Sequence, residues 1–324
     1  MRVLIVKLSS LGDVVHAMPV VHDIRVAFPD ALIDWVVEPG FAPLVRRVDG
    51  VHTVVECALR RWTKAWWTGA VRAEWRAFKA RLQATHYDAV LDLQGLTKSA
   101  VIARLAPGRS YGLANRTDGA SHEPPARWLV DTAIRVEPHI HALDRSRVLA
   151  AQALGYTAAG SPVFGLRAAP IARDGAPPTV VFVHGTSRDD KLWPDDHWIE
   201  LGRRVVAEGW RITLPHAGAV EQARAQRIAT AIGEAAEVWP AMNLDALTDR
   251  LAATQGVIGV DSGLSHIAVA LDLPHVQLYN FPTAWRTGPQ PAHGHRHQVS
   301  VEAQPTPSLD AVAAAWAGVR EAAR

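Results

Sequence analysis

The chain holds one cysteine, Cys57, in 324 residues. An intramolecular disulfide is therefore excluded, and the sequence does not read as a secreted disulfide scaffold. No sign of charge dominates. Lys and Arg (34) nearly balance Asp and Glu (32), so the footprint of a nucleic-acid binder is missing. Long apolar runs are also missing. The longest are short strand cores such as Val3, Leu4, Ile5 and Val6, far below the ~20 residues of a membrane-spanning helix. The first residues lack the apolar core and cleavage site of a secretory signal, so they read as a β-strand and the expected location is cytoplasmic. There is no short-period repeat.

What is present is bulk. The chain is 48% hydrophobic, and its length suits two domains at roughly 100–200 residues each. Apolar, β-branched runs predict strands at 3–8, 33–37, 53–56 and 89–93, then at 179–184, 211–215, 257–260 and 275–279. Amphipathic stretches predict helices at 14–27, 70–85, 99–104, 144–154, 195–208, 219–232, 244–253, 265–271 and 308–323. This alternation predicts an α/β fold of doubly wound parallel sheets, with ligands at the carboxyl ends of the strands. Residues 160–178 break the rhythm with Gly160, Pro162, Gly165, Pro170, Gly175, Pro177 and Pro178, and predict a linker. The expected organisation is a domain at 1–160, a linker at 161–178 and a domain at 179–324, facing across a cleft. The last helix either stays with the second domain or returns to the first.

Three strand-to-helix turns carry candidate chemistry. In the first, residues 7–16, Gly12 allows close approach and the helix start offers free N–H groups. Asp13 either faces a ligand or caps its helix. It is not a dinucleotide fingerprint, because G-x-G-x-x-G is missing there. In the second, residues 183–194, Gly185, Thr186 and Ser187 supply donors for phosphate oxygens and Lys191 supplies a cation. Pro194, Asp195 and Asp196 then start a helix. A solvated charged loop is the alternative, and the Walker A pattern is missing. In the third, residues 259–266, a small-residue turn around Asp261, Ser262 and Gly263 aims N–H groups and a helix dipole at an anion. Asp261 is otherwise a cap, and His266 otherwise a packed histidine. Two such turns in one half suggest a diphosphate site. Glu221 is placed to accept from ribose hydroxyls, or is an ordinary surface glutamate. Trp62, Trp66 and Trp67 stand beside Arg60, Arg61 and Lys64 and hint at an interface. His293, His295 and His297 read as a solvated loop, with opportunistic metal binding the alternative.

Residues 7–16, 186–194 and 261–266 together resemble the turns of bacterial lipopolysaccharide heptosyltransferases. The segments Arg60-Arg61-Trp62-Thr63-Lys64-Ala65-Trp66 and Asp92-Leu93-Gln94-Gly95-Leu96-Thr97-Lys98-Ser99 narrow this to the heptosyltransferase I family. The resemblance runs from residue 1 to about residue 279. It implies a GT-B fold of two Rossmann-like domains. It implies inverting transfer of L-glycero-D-manno-heptose from ADP-heptose onto a Kdo residue of the lipid A inner core. Asp13 matches the general base, and Lys191 the cation that neutralises the leaving diphosphate. Thr186, Ser187, Glu221, Asp261, Ser262, Gly263 and His266 match donor contacts. Ser9, Ser10, Gly12, Arg60, Arg61, Lys64, Gln94 and Lys98 match acceptor contacts, with residues 60–64 on a loop. No metal or other cofactor is implied, since ADP-heptose is a substrate. The implied partners are ADP-heptose, the Kdo-lipid A acceptor and, peripherally, the cytoplasmic face of the inner membrane. Motion about the linker is expected as well.

The chain departs from the family pattern in three places. Ser262 stands where Thr is frequent. Ser121-His122-Glu123-Pro124 stands for an Ala-Arg-Glu-Pro segment after a longer loop. Asn280-Phe281-Pro282-Thr283 stands for a Gly-Pro-Thr turn. Three other functions remain in view: a sister sugar transferase with another donor or acceptor, a nucleotide-dependent oxidoreductase, and a nucleotide-binding protein without catalysis. The missing glycine fingerprint argues against the oxidoreductase.

Overall fold

The computed structural model describes residues 1–169 and 177–323. The chain divides into two compact units, Met1–Arg167 and Ala168–Arg324. In the first, six strands form one sheet: β1 (Arg2–Val6), β2 (Leu32–Val37), β3 (Val51–Glu56), β4 (Tyr87–Asp92), β5 (Gly108–Leu113) and β6 (Thr132–Ile134). Their order is β3-β2-β1-β4-β5-β6, and every neighbouring pair is parallel. The second unit holds β7 (Thr179–Val183), β8 (Arg211–Leu214), β9 (Ala236–Val238), β10 (Gly256–Val260), β11 (His275–Tyr279) and β12 (Gln298–Glu302). Its order is β12-β11-β10-β7-β8-β9, again all parallel. Counted from each unit's own first strand, both sheets follow the doubly wound order 3-2-1-4-5-6.

Central strands are covered on both faces, and their sequences show it. Val3, Leu4, Ile5 and Val6 are fully buried, as are Val180, Val181 and Phe182. That is why they read as continuous apolar runs rather than alternating ones. The helices of the first unit are α1 (Leu11–Ala17), α2 (Pro19–Ala27), α3 (Ala42–Val45), α4 (Leu59–Ala65), α5 (Gly69–Gln83), α6 (Thr97–Leu105), α7 (Ala126–Leu129) and α8 (Ala142–Leu154). Those of the second are α9 (Asp195–Ala207), α10 (Ala219–Ile232), α11 (Leu244–Ala252), α12 (Gly263–Ala270), α13 (Ala284–Thr287) and α14 (Leu309–Ala322). Leu4, Val6, Val36 and Val90 pack with Trp62, Phe78, Leu82 and Ile102 in one core. Phe182, Ile258, Val276 and Leu278 pack with Trp193, Trp198 and Trp316 in the other. Full burial of side chains this size stabilises by about 1.5–3 kcal/mol each. Trp316 lies on α14, so the last helix belongs to the second core. Among the described residues, no helix is long and apolar enough to cross a membrane.

Four expectations change. The helix expected over 14–27 is two helices, α1 and α2, because Pro19 starts the second. Its missing N–H costs nothing in a first turn but breaks an interior one. The loop expected at 60–64 is the helix α4. The strands β5, β6, β9 and β12 were absent from the sequence reading. All but β5 are edge or three-residue strands, and β5 carries Gly108 and Gly112. Finally, the first part of the expected linker lies on the first unit. Leu166 bridges Val48, the Asp49 N–H donates to the Gly165 carbonyl (2.8 Å) and the Arg167 N–H to the Arg47 carbonyl (3.0 Å). Residues 170–176 of that stretch lie outside the described residues.

Candidate active site

Each sheet reverses its strand order at one point: between β1 and β4 in the first unit, between β7 and β10 in the second. Ligands of doubly wound sheets bind outside the carboxyl ends of the strands at such points. The turn 7–13 follows β1 and the segment 93–95 follows β4. The turn 184–191 follows β7 and the turn 261–266 follows β10. The three turns singled out by sequence therefore all sit at a reversal point.

In the first unit, Asp13 is the third residue of α1. One of its oxygens does what the capping alternative required. Asp13 Oδ2 accepts from the Ser10 N–H (3.2 Å) and the Ser10 hydroxyl (2.9 Å). The other oxygen faces two cations. Lys7 Nζ lies 3.4 Å and Arg145 Nη2 3.7 Å from Asp13 Oδ1. Both cationic side chains are buried, at 2% and 8% exposure, while Asp13 is 38% exposed. Burial works to raise the Asp13 carboxyl. Lys7, Arg145 and the Ser10 donors outweigh it and hold the group down at about 2. Burial in turn lowers the Lys7 ammonium against the opposing pull of Asp13. Lys7 also donates to the Leu93 carbonyl at 3.0 Å, tying the two strand ends together. Behind it sits Asp92, pushed up to about 6 by burial although Gln94, Ser99 and Gly95 donate to it.

The expected acceptor residues divide. Ser9 is buried beside the turn; Ser10 and Gly12 open onto it. Gln94 is occupied structurally, its Oε1 accepting from the Leu8 N–H at 2.8 Å. Lys98 is exposed near the start of α6. On α4, the Arg60 guanidinium lies over the Phe41 ring at 5.9 Å, Arg61 is paired with Glu74, and Lys64 is exposed. Trp62 packs in the core against Trp75 and Phe78, whereas Trp66 and Trp67 are 66% and 63% exposed. Of the departing loop, Glu123 closes onto α6, accepting from the Thr97 N–H at 2.8 Å.

In the second unit the two turns are joined. The Thr186 hydroxyl donates to the Asp261 carbonyl at 3.1 Å. Lys191 Nζ donates to Asp261 Oδ2 at 2.5 Å, and His266 Nε2 lies 3.4 Å from Asp261 Oδ1. Burial works to raise the Asp261 carboxyl, but His266 and Lys191 hold it well below the usual carboxylate range. It is thus an anion held between the Lys191 ammonium and the His266 ring. Ser262 caps α12 in an extended conformation, yet its buried hydroxyl has no hydrogen-bond partner among the described residues. Such an orphan at a helix start is a ready donor for an anion. Glu221 lies in the first turn of α10 and accepts from the Ala217 N–H at 2.7 Å. Its carboxylate covers Gly185: a Cβ there would stand 2.7 Å from Glu221 Cδ. Ser187 is exposed. In the 293–297 stretch no residue is buried, Gly294 and Arg296 are exposed, and His297 Nε2 bonds the Asp272 carbonyl at 2.8 Å.

A family model described as glycosyltransferase family 9 (heptosyltransferase) matches residues 75–315. The chain belongs to this family. The glycosyltransferase is 41% identical over 283 residues to lipopolysaccharide heptosyltransferase 1 of Escherichia coli K12, covering 86% of this chain and 88% of the relative. The enzyme of that name from Pseudomonas aeruginosa is 41% identical over 281 residues, covering 86% and 78%. Among solved structures, the E. coli heptosyltransferase WaaC with ADP matches with a TM-score of 0.87 and 36% identity, covering 99% of this chain and 100% of that one. WaaC with ADP-2-deoxy-2-fluoro heptose matches with a TM-score of 0.82 and 37% identity, covering 96% and 98%. The glycosyltransferase thus has the expected GT-B fold, built of two Rossmann-like units.

Sequence reasoning missed the partners that hold the glycosyltransferase's site residues. Lys7 and Arg145 beside Asp13, Arg224 and Asn280 beside the Lys191 turn were given no role. Arg224 donates to the His184 carbonyl (2.7 Å) and to Asp195 Oδ1 (2.6 Å). A lysine ending an apolar central strand was a usable signal for Lys7. Arg145 is 132 positions from Asp13, and nothing local marks it.

Proposed function

We propose that the chain transfers L-glycero-D-manno-heptose from ADP-heptose to a Kdo residue of the lipid A inner core, with inversion at the transferred carbon. Its relatives are named for lipopolysaccharide, and their structures hold ADP or an ADP-heptose analogue; both facts support the donor and pathway assigned here. The observation that carries the proposal is the chemistry at the two reversal points. One offers a partly exposed ionised carboxylate, Asp13, held in place on both oxygens. The other offers donors and a cation: the orphan Ser262 hydroxyl, the α12 start and Lys191.

Asp13 takes the proton of the attacking Kdo hydroxyl as that oxygen displaces ADP. A carboxylate held near 2 is a weak base for a free alcohol, but the hydroxyl proton becomes acidic as the new C–O bond forms. Lys191 exchanges its ion pair with Asp261 for the growing charge on the leaving diphosphate. The Thr186, Ser187 and Ser262–Gly263 turns bind that diphosphate through N–H and hydroxyl groups, needing no metal. Asp261 and His266 address the heptose, and Glu221 the ribose. The first unit, residues 1–160 and their continuation, binds the acceptor; the second, 179–324, binds the nucleotide. The acceptor meets Ser9, Ser10, Gly12 and the α4 cations, with Gln94 and Lys98 alongside.

The enzyme works at the cytoplasmic face of the inner membrane by peripheral contact. Exposed Trp66 and Trp67 beside Arg60 and Lys64 support this, since tryptophan suits an interface and the cations suit anionic headgroups. The test is ADP release from ADP-heptose with and without a Kdo-bearing lipid A acceptor. Acceptor-dependent release supports the assignment. Release with other nucleotide-sugars or acceptors instead would move the protein to a sister specificity. No turnover with any pair would leave only nucleotide binding.

A further inference from the structure

We propose that Asn280 is a positioning residue for Lys191, gripping the backbone on both sides of it so that the ammonium stands at the diphosphate turn. This rests on the role given above to Lys191.

Asn280 directly follows β11 and is 8% exposed. Its amide nitrogen donates to the Asp190 carbonyl at 2.9 Å and to the Leu192 carbonyl at 3.0 Å. Its oxygen accepts from the Thr306 hydroxyl at 2.8 Å. A side-chain amide has two N–H groups, and here both are spent on the two residues flanking Lys191. The turn cannot hold these carbonyls itself. Its own bonds run from the Lys191 N–H to the Arg188 carbonyl and from the Leu192 N–H to the Asp189 carbonyl, both at 3.1 Å. Arg188, Asp189 and Asp190 are exposed, so little packing fixes this stretch from outside.

The placement matters because lysine is a point charge on a flexible four-carbon stem. Where its ammonium sits depends on where its backbone is anchored and on its ion partner. Asp261 supplies the partner at 2.5 Å, and Asn280 supplies the anchor.

The test compares Asn280→Ala, Asn280→Asp, Lys191→Ala and the Asn280→Ala/Lys191→Ala double variant, by initial rates of ADP release and by melting temperature. Asn280→Asp keeps the shape but has no amide hydrogens. The expected result is a kcat lower by roughly ten- to a hundredfold in both single Asn280 variants, as for a misplaced catalytic group. The acceptor KM should be unchanged, and the double variant should be within about twofold of Lys191→Ala, as expected for residues acting through one group. Wild-type kcat in Asn280→Asp, or an equal loss from Asn280→Ala with and without Lys191, would overturn the proposal. If Lys191→Ala itself keeps wild-type kcat, the role of Lys191 falls and the proposal with it. A slow Lys191→Ala beside fast Asn280 variants removes the Asn280 role alone.

Discussion

Lys7 Nζ and Asp13 Oδ1 stand 3.4 Å apart across a single strand-to-helix turn, six positions apart in sequence. The lysine directly follows β1 and is buried; the aspartate lies in the first turn of α1 at the edge of solvent. Arg145 reaches the same oxygen from α8, at 3.7 Å. One carboxylate oxygen is thus held by cations and the other by Ser10.

This pairing sets a pH dependence. Asp13 is held down at about 2, so it stays ionised at every pH where the protein is assayed, and it contributes no acid limb to the wild-type kcat/KM profile. Its pKa is depressed, so weakening the cations moves it up, and burial adds to that rise. Lys7→Met and Arg145→Met should each create an Asp13 acid limb that the wild-type profile lacks. Each should lower kcat/KM at pH 7.5 by roughly ten- to a hundredfold, through loss of the carboxylate's placement. The measurement is kcat/KM from pH 4.5 to 9. Profiles superimposable on wild type would contradict the role of both cations.

Gly185 is required for space rather than for its backbone angles, since it is not among the glycines of positive φ. An alanine methyl would meet the Glu221 carboxylate at 2.7–3.1 Å. Gly185→Ala should therefore push Glu221 from its place and weaken ADP binding by roughly tenfold, the value of one hydrogen bond to a charged group. Dideoxy-ADP, lacking both ribose hydroxyls, should lose much less. Calorimetric titration with both nucleotides checks this; equal losses would mean damage to the phosphate turn instead.

The tryptophans of α4 and its exit should part company. Trp62 packs against Trp75 and Phe78 and donates to Glu74 at 2.8 Å. Trp62→Ala should destabilise the first unit by about 3–5 kcal/mol, the usual cost of a buried aromatic. Trp66→Ala/Trp67→Ala should leave stability within about 0.5 kcal/mol, yet lower binding to vesicles containing anionic lipid. Urea unfolding and vesicle sedimentation separate the two; unchanged sedimentation would remove membrane contact from these residues.

Much of this was legible in the sequence, for a physical reason. The central strands β1, β4, β7 and β10 are buried on both faces and so are written as apolar runs, and the turns after β1, β7 and β10 carry the small and charged residues of the site. Edge strands such as β6 and β9 are only three residues long and leave too little pattern to read. The loop expected at 60–64 followed from the family resemblance and not from the residues themselves, which form the seven-residue helix α4 anchored by Trp62. Of the two alternatives for Asp13, one oxygen makes the helix-cap contacts with Ser10, while the other faces Lys7 and Arg145. What the sequence could not give was distance. Arg145 reaches Asp13, and Asn280 reaches the Lys191 turn, only after each sheet has formed.

The most direct measurement is ADP release by wild type and Asp13→Asn with ADP-heptose and a Kdo-bearing lipid A acceptor. Asparagine keeps the size of the side chain but cannot take a proton. The predicted result is acceptor-dependent release in the wild type and a kcat lower by roughly 10²–10⁴-fold in the variant, the range for loss of a general base. ADP affinity should be unchanged, because Asp13 is not among the residues proposed to bind the nucleotide. Wild-type kcat in Asp13→Asn would contradict Asp13 as the base.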